Sequence, residues 1–276
     1  MSLPYFEPAL FGAVQGLTEF LPISSSAHLL LLHHITHFTV ADDLAFDVAL
    51  HVGTLVAVVT YFWRDLWRLL RAWLVGFKKM NWTQNNDQRL AWWLVIASVP
   101  AALAGAALET KAETAFRAPL LTALVLILAG VILWLTDRFK STDHDLPDIT
   151  WRQALMIGVA QAVALVPGVS RSGATITMAR LFRLNRAAAA RFSFLLSAPI
   201  LLGAGVKKML DLGQMHLSSL QLADFAVGAI VAALVGLVAI NILLRFISRH
   251  SYGAFAVYRL VVGGLVLAAL WVGWIK

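Results

Sequence analysis

Six apolar runs govern what this chain can become. They lie near residues 45–63, 92–109, 118–136, 188–206, 222–244 and 253–275, and each is long enough to cross about 30 Å of hydrocarbon as a helix. With 60% of its 276 residues hydrophobic and only 13% charged, the chain carries more apolar surface than one soluble core can hide. The expected fold class is therefore all-α, a polytopic membrane helical bundle. Residues 1–8 lack a basic cluster and contain Glu7, so no cleavable signal peptide is expected. The absence of cysteine excludes disulfides and thiolate metal sites. A net charge of +7 could suggest nucleic acid, but the basic residues sit in loops between apolar runs, where membrane topology accounts for them. No nucleic-acid partner is expected.

Two stretches break the apolar pattern. One reads QGLTEFLPISSSAH from Gln15 to His28, and the other PGVSRSGAT from Pro167 to Thr175. Between them they gather a carboxylate, an arginine, five serines and a histidine. A charge at the centre of a membrane helix costs roughly 2.5–3.5 kcal/mol on insertion scales, so such groups mark function by default.

The two stretches belong to a weak internal repeat. At an offset of 146 residues Gly12 falls on Gly158, Gln15 on Gln161 and Phe46 on Phe192, with Pro22 and Pro167 one residue out of step. The chain thus reads as a single membrane domain, 1–276, built from two repeats of about 1–140 and 150–276, joined by a charged linker at 136–148. Each repeat holds one polar-interrupted segment and three spans, and an odd number of crossings inverts the second repeat relative to the first. Inverted repeats with broken helices place a site at the repeat interface.

Charge asymmetry decides whether the polar segments cross. If both are re-entrant, six spans remain and fifteen positives share one face: those from Arg64 to Arg89, those from Arg138 to Arg152, Arg180, Arg183, Arg186 and Arg191, and Arg245 with Arg249. The other face receives five, Lys111, Arg117, Lys207, Lys208 and Lys276. If both segments cross, the split falls to twelve against eight. The positive-inside rule favours six transmembrane helices plus two re-entrant helix pairs, with both termini outside the cytoplasm. Breaks are expected at Pro22 and at Pro167–Gly168.

The residues within these segments suit phosphoryl chemistry. Pro22 followed by Ser24, Ser25 and Ser26 resembles a helix start, where free amides and the positive dipole end favour an anion. Ser25 and His28 are three apart and would share a helix face, pairing a hydroxyl nucleophile with an imidazole base. Gln15 and Glu19, four apart, would project together to bind a cation, orient His28 or act as base. In the second segment Gly168 permits an unusual turn, while Ser170, Arg171, Ser172 and Thr175 form a phosphate cradle. Asp47 and His51, again four apart, could complete a cation site or steer His28; equally, Asp47 could cap its helix. His33, His34 and His37 fall where the chain returns to the interface and read as a hydrated stretch. Tryptophans beside Arg or Lys, as from Phe62 to Arg68, fit interfacial belts.

On these residues the chain resembles the bacterial undecaprenyl-diphosphate phosphatase family, also called bacitracin-resistance proteins. That family is marked by an acid-or-Gln-x-x-x-Glu motif running into Pro-x-Ser-Ser-x-x-His, and by Pro-Gly-x-Ser-Arg-Ser-x-x-Thr; both occur here, with FDVALHVGT from Phe46 to Thr54. The resemblance implies hydrolysis of undecaprenyl diphosphate, which regenerates the lipid carrier for peptidoglycan. It also implies a multi-pass protein of the bacterial cytoplasmic membrane, a site open to the periplasmic side, and a divalent cation, Mg²⁺ or Ca²⁺. Carried over residue by residue, the catalytic glutamate falls on Glu19, the histidine on His28, the candidate serine nucleophile on Ser25, and the phosphate-binding Ser, Arg and Thr on Ser170, Arg171 and Thr175. Ser24, Ser26 and Ser172 join the phosphate-binding set, and Gln15 and Asp47 join Glu19 as cation ligands. Gln15 stands where some relatives have Glu, so it can offer a carbonyl but no charge. Either Ser25 or His28 can serve as nucleophile. The rival class is a lipid-carrier flippase or secondary transporter, and the reading is compatible with a homodimer.

Overall fold

The computed structural model describes residues 5–36, 43–78, 83–114, 118–139, 144–212 and 218–274. These form eleven α-helices: α1 (Phe6–Phe20), α2 (Ser25–Thr36), α3 (Asp43–Tyr61), α4 (Trp63–Lys78), α5 (Asn86–Thr114), α6 (Pro119–Phe139), α7 (Trp151–Val163), α8 (Arg171–Leu181), α9 (Arg186–Leu212), α10 (Ser219–Ile247) and α11 (Gly253–Trp271). The six apolar runs fall on α3, α5, α6, α9, α10 and α11. Among the described residues, α5, α6, α9, α10 and α11 are each long and apolar enough to cross a membrane, and α3 passes that test jointly with α4. The chain is a multi-pass membrane helical bundle.

At Phe62 the chain bends by 80° between α3 and α4. Helix α4 exposes Trp63, Trp67, Leu70, Leu74 and Phe77 along one stripe while burying Leu69 and Gly76, the pattern of a helix lying in the membrane interface. Three tryptophans carry an arginine on the ring face: Arg71 stands 4.7 Å over the Trp67 ring, and Arg138 and Arg152 stand 5.3 Å over Trp134 and Trp151 respectively. Lys79, Lys111, Arg117, Lys140, Lys207, Lys208 and Lys276, counted in the charge split, lie outside the residues whose side chains are described.

The two polar segments are helical hairpins, α1–α2 and α7–α8. Helix α1 has 15 residues and α8 has 11, about 22 and 16 Å, too short to cross singly. Helix α1 ends because Leu21 precedes Pro22 and is driven into extended backbone, φ −67° and ψ 139°. Helix α7 starts on a capping box of Thr150 with Gln153 and stops at Val163, ahead of Pro167. Gly168 adopts φ 95°, and any Cβ there would lie 2.6 Å from the Thr122 carbonyl oxygen of α6. Each hairpin re-enters helix through a serine in the left-handed region, Ser24 at φ 75° and Ser170 at φ 70°. Such a residue costs on the order of 1–3 kcal/mol and persists only where the surroundings impose it.

Close crossings hold the hairpins in place. Helix α1 lies along α10, and α7 along α5. At Gly12 a Cβ would meet the Gly228 carbonyl oxygen at 2.3 Å, and at Gly158 the Ala97 carbonyl oxygen at 2.2 Å. Only glycine lets these backbones touch, as membrane helices packed on small residues require. At the far end of α8 a buried ionic cluster ties four helices together. Asp137 accepts from Arg180 Nε at 3.0 Å, from Arg186 Nε at 2.9 Å and from the Tyr252 amide at 2.9 Å, and Arg180 and Tyr252 are fully buried.

Candidate active site

The site forms where the two hairpin turns meet. Helix α1 buries Gln15 and Glu19 on one face, as their spacing predicts. The Glu19 carboxylate is 6% exposed and receives a ring of donors. Gln15 Nε2 donates to Oε2 at 3.0 Å, Ser25 Oγ to Oε2 at 2.6 Å, and Arg171 Nη2 to Oε1 at 2.7 Å. His51 of α3 places Nε2 3.5 Å from Oε2, while its Nδ1 donates to the Asp47 carbonyl at 2.7 Å. Residues from four helices thus converge on one buried carboxylate, and a charge this deep is held only by such partners.

Two atoms at this centre lack protein partners among the described residues: Arg171 Nη1 and Gln15 Oε1, both buried. Nη1 is a charged donor beside the Ser25–Glu19 pair, suited to a phosphoryl oxygen. Gln15 Oε1 is a carbonyl acceptor suited to a hard cation. No group of three or more His, Cys, Asp or Glu gathers among the described residues. A divalent cation therefore fits only if substrate oxygens complete its shell, the usual arrangement for Mg²⁺ with phosphates. Ser25 and Arg171, the first residues of α2 and α8, both bond Glu19, so two helix N-termini, ends that favour an anion, meet at this carboxylate.

The expected catalytic pairing of Ser25 with His28 is not made. Ser25 spends its hydroxyl on Glu19. His28 Nδ1 donates back to the Ser24 carbonyl at 2.7 Å, and its Nε2 meets the Tyr258 hydroxyl at 2.8 Å. The i to i−4 bond turns the ring along α2, away from Ser25. The phosphate-binding set also divides. Ser26 and Arg171 retain exposure, as do the catalytic candidates Ser25 and His28, whereas Ser24, Ser170, Ser172 and Thr175 are buried. Ser170 caps α8 by accepting from the Gly173 amide at 3.1 Å, and Ser172 donates to the Leu21 carbonyl at 3.1 Å, tying one turn to the other. Thr175 donates to the Arg171 carbonyl at 2.8 Å and shares a 2.7 Å bond with Ser193 of α9. These hydroxyls build the cradle rather than face its opening.

Asp47, expected as a cation ligand beside Glu19, lies instead against α2, its Oδ1 3.0 Å from His33 Nε2. On α3 the turn facing Glu19 belongs to His51, and Asp47, one turn earlier, meets His33. His33 is packed on the Phe11 ring with centroids 4.5 Å apart, not in a hydrated stretch; His34 is exposed, and His37 lies outside the described residues.

Three residues escaped sequence reasoning. Ser193 gave no signal in an apolar run. Tyr258 and Arg259 lie within the last apolar run, where an arginine is itself a flag. Arg259, fully buried, donates to Leu126 O at 3.1 Å, Pro22 O at 3.2 Å, Gly168 O at 2.7 Å and Val169 O at 3.0 Å. It fastens both hairpin turns to α6.

The sequence matches the family described as "Bacitracin resistance protein BacA" over residues 8–265. It is 48% identical over 264 residues to the undecaprenyl-diphosphatase of Desulforudis audaxviator, covering 95% of this chain and 96% of that protein. The undecaprenyl-diphosphatase of Moorella thermoacetica is 45% identical over 262 residues, with the same coverage of both chains. That of Thermomicrobium roseum is 44% identical over 269 residues, covering 95% and 96%.

Proposed function

Because the chain belongs to the bacitracin resistance protein BacA family, we propose that it hydrolyses undecaprenyl diphosphate to undecaprenyl phosphate and inorganic phosphate. The observation that carries the chemistry is the arrangement around Glu19: a serine hydroxyl 2.6 Å from the carboxylate, beside an arginine with one nitrogen unpartnered among the described residues.

Arg171 Nη1 and the amides at the starts of α2 and α8 receive the terminal phosphoryl group. Ser25 Oγ attacks that phosphorus while its proton passes to Glu19 Oε2, the base within reach. The bond from phosphorus to the bridging oxygen breaks, and the lipid phosphate leaves with the electron pair. Water then attacks the phosphoserine, releasing inorganic phosphate and restoring the hydroxyl. Gln15 and Glu19 would hold a divalent cation, which would supply charge neutralisation at the diphosphate.

The matched positions Ser24 and Ser170, the crossings at Gly12 and Gly158 and the charge asymmetry support two inverted repeats that present this site to the outer, periplasmic face of the bacterial cytoplasmic membrane. The lipid tail lies between spans, which is why the diphosphate site sits at membrane depth. In detergent, with a short-chain prenyl diphosphate and Mg²⁺, the purified protein should release phosphate; a flippase without hydrolase activity would not. Glu19→Ala and Arg171→Ala should each lower turnover by at least about a hundredfold while remaining folded. Near-normal turnover in either folded variant would sink the assignment.

A further inference from the structure

His28 is held at both nitrogens, and each partner constrains its proton. The Ser24 carbonyl can only accept, so Nδ1 carries the proton in the 2.7 Å bond between them. A neutral ring then presents a lone pair at Nε2, where the Tyr258 hydroxyl lies at 2.8 Å and donates. The two rings are also stacked, 12° apart in plane with centroids at 5.6 Å. Tyr258 comes from α11, far from α2 in sequence, and is 41% exposed beside the site. Its neighbour Arg259 is fixed by four carbonyls, two of them in the turn after Pro167 and one in the turn at Pro22. Tyr258 is thereby anchored to the same frame as the catalytic turns.

We propose that Tyr258 is the positioning residue of His28, fixing the imidazole as its Nδ1–H tautomer and delivering Nε2 to the edge of the phosphate site through the phenol. That the pair affects turnover, with His28 lining the phosphate site, rests on the proposed diphosphatase activity; the pairing itself does not. It explains why Ser25 turns to Glu19 for its proton: neither nitrogen of His28 is free to take it. It also gives α11 a role in the reaction beyond spanning the membrane.

The test uses the full-length protein labelled with ¹⁵N-histidine, with His28→Gln identifying the His28 resonances. The wild type should show protonated Nδ1 and a hydrogen-bonded, unprotonated Nε2. Tyr258→Phe keeps the ring stack and removes the hydroxyl, so the Nε2 resonance should move to that of an unbonded nitrogen while Nδ1 stays protonated. In the same variant kcat should fall roughly tenfold, a fraction of what a general acid or base supplies, with KM within about twofold and unchanged thermal unfolding. An unmoved Nε2 resonance, a wild-type kcat, or a loss carried by KM would each overturn the proposal. A wild type that shows the tautomer and the Tyr258-dependent shift but releases no phosphate would preserve the pairing and refute the diphosphatase reading instead.

Discussion

Arg259 offers the sharpest quantitative test of how the site is assembled. Its guanidinium makes four hydrogen bonds, all to backbone carbonyls, and is fully buried. Replacement by Met keeps much of the volume and deletes every donor. Hydrogen bonds within membrane proteins average about 0.6 kcal/mol, and charged donors in proteins reach about 1.5–3 kcal/mol each. Four such bonds bracket the loss at about 2.5–6 kcal/mol at the lower charged value. The functional loss is larger than stability alone implies. Pro22 O and Gly168 O lie on opposite hairpins, so losing their shared donor lets Ser25 and Arg171 drift apart, and a 1 Å misplacement can cost about a hundredfold in rate. Arg259→Lys retains the charge but not the fork that spans three segments, so it should keep more stability than Arg259→Met while losing comparable activity. Thermal unfolding in detergent and phosphate release measure the two effects separately. An Arg259→Met protein with wild-type unfolding temperature and turnover would refute the reasoning.

Four further substitutions test particular contacts. Gln15→Glu adds a carboxylate at the atom left unpartnered beside Glu19, and should lower the Mg²⁺ concentration that gives half-maximal activity; an unchanged titration would remove Gln15 from the cation site. Thr175→Val should cost about 1 kcal/mol of stability with KM within about twofold, because its hydroxyl is occupied by α8 and Ser193; a large rise in KM would return it to the phosphate. Asp137→Ala strips the buried Arg180 of its carboxylate and should cost about 3–5 kcal/mol. Asp65→Ala breaks the exposed pairs with Arg68 and Arg191 and should cost under about 1 kcal/mol. Paired unfolding curves would expose any inversion of that order.

What was legible in the sequence followed from forces that act along the chain. Hydropathy placed five spans outright and a sixth as the bent α3–α4 pair, and Pro22 and Gly168 marked both turns, because these effects need no partner helix. The offset of 146 residues also carries Ser24 onto Ser170 and Ser26 onto Ser172. Both serines preceding the arms have positive φ, and each forms a 3.2 Å hydroxyl pair two residues on, so Ser25 and Arg171 occupy equivalent places. What stayed hidden depends on how helices are rotated against one another. The spacing of Ser25 and His28 was correct, yet an acceptor on α1 and a phenol on α11 captured their polar atoms first. Asp47 likewise shares a face with His51 but meets His33, because one turn of α3 separates what Glu19 sees from what α2 sees. Arg259 stands as a lone charge in the last apolar run, but its four carbonyl partners become neighbours only after the hairpins fold.

The central claim is that Ser25, activated by Glu19, attacks the terminal phosphorus. Rapid quenching of the enzyme with a prenyl diphosphate labelled at the terminal phosphate, followed by mapping of the labelled peptide, tests it most directly. An acid-stable phosphoserine at position 25, absent in Ser25→Ala, is the predicted result; an acid-labile phosphohistidine at position 28 would contradict it.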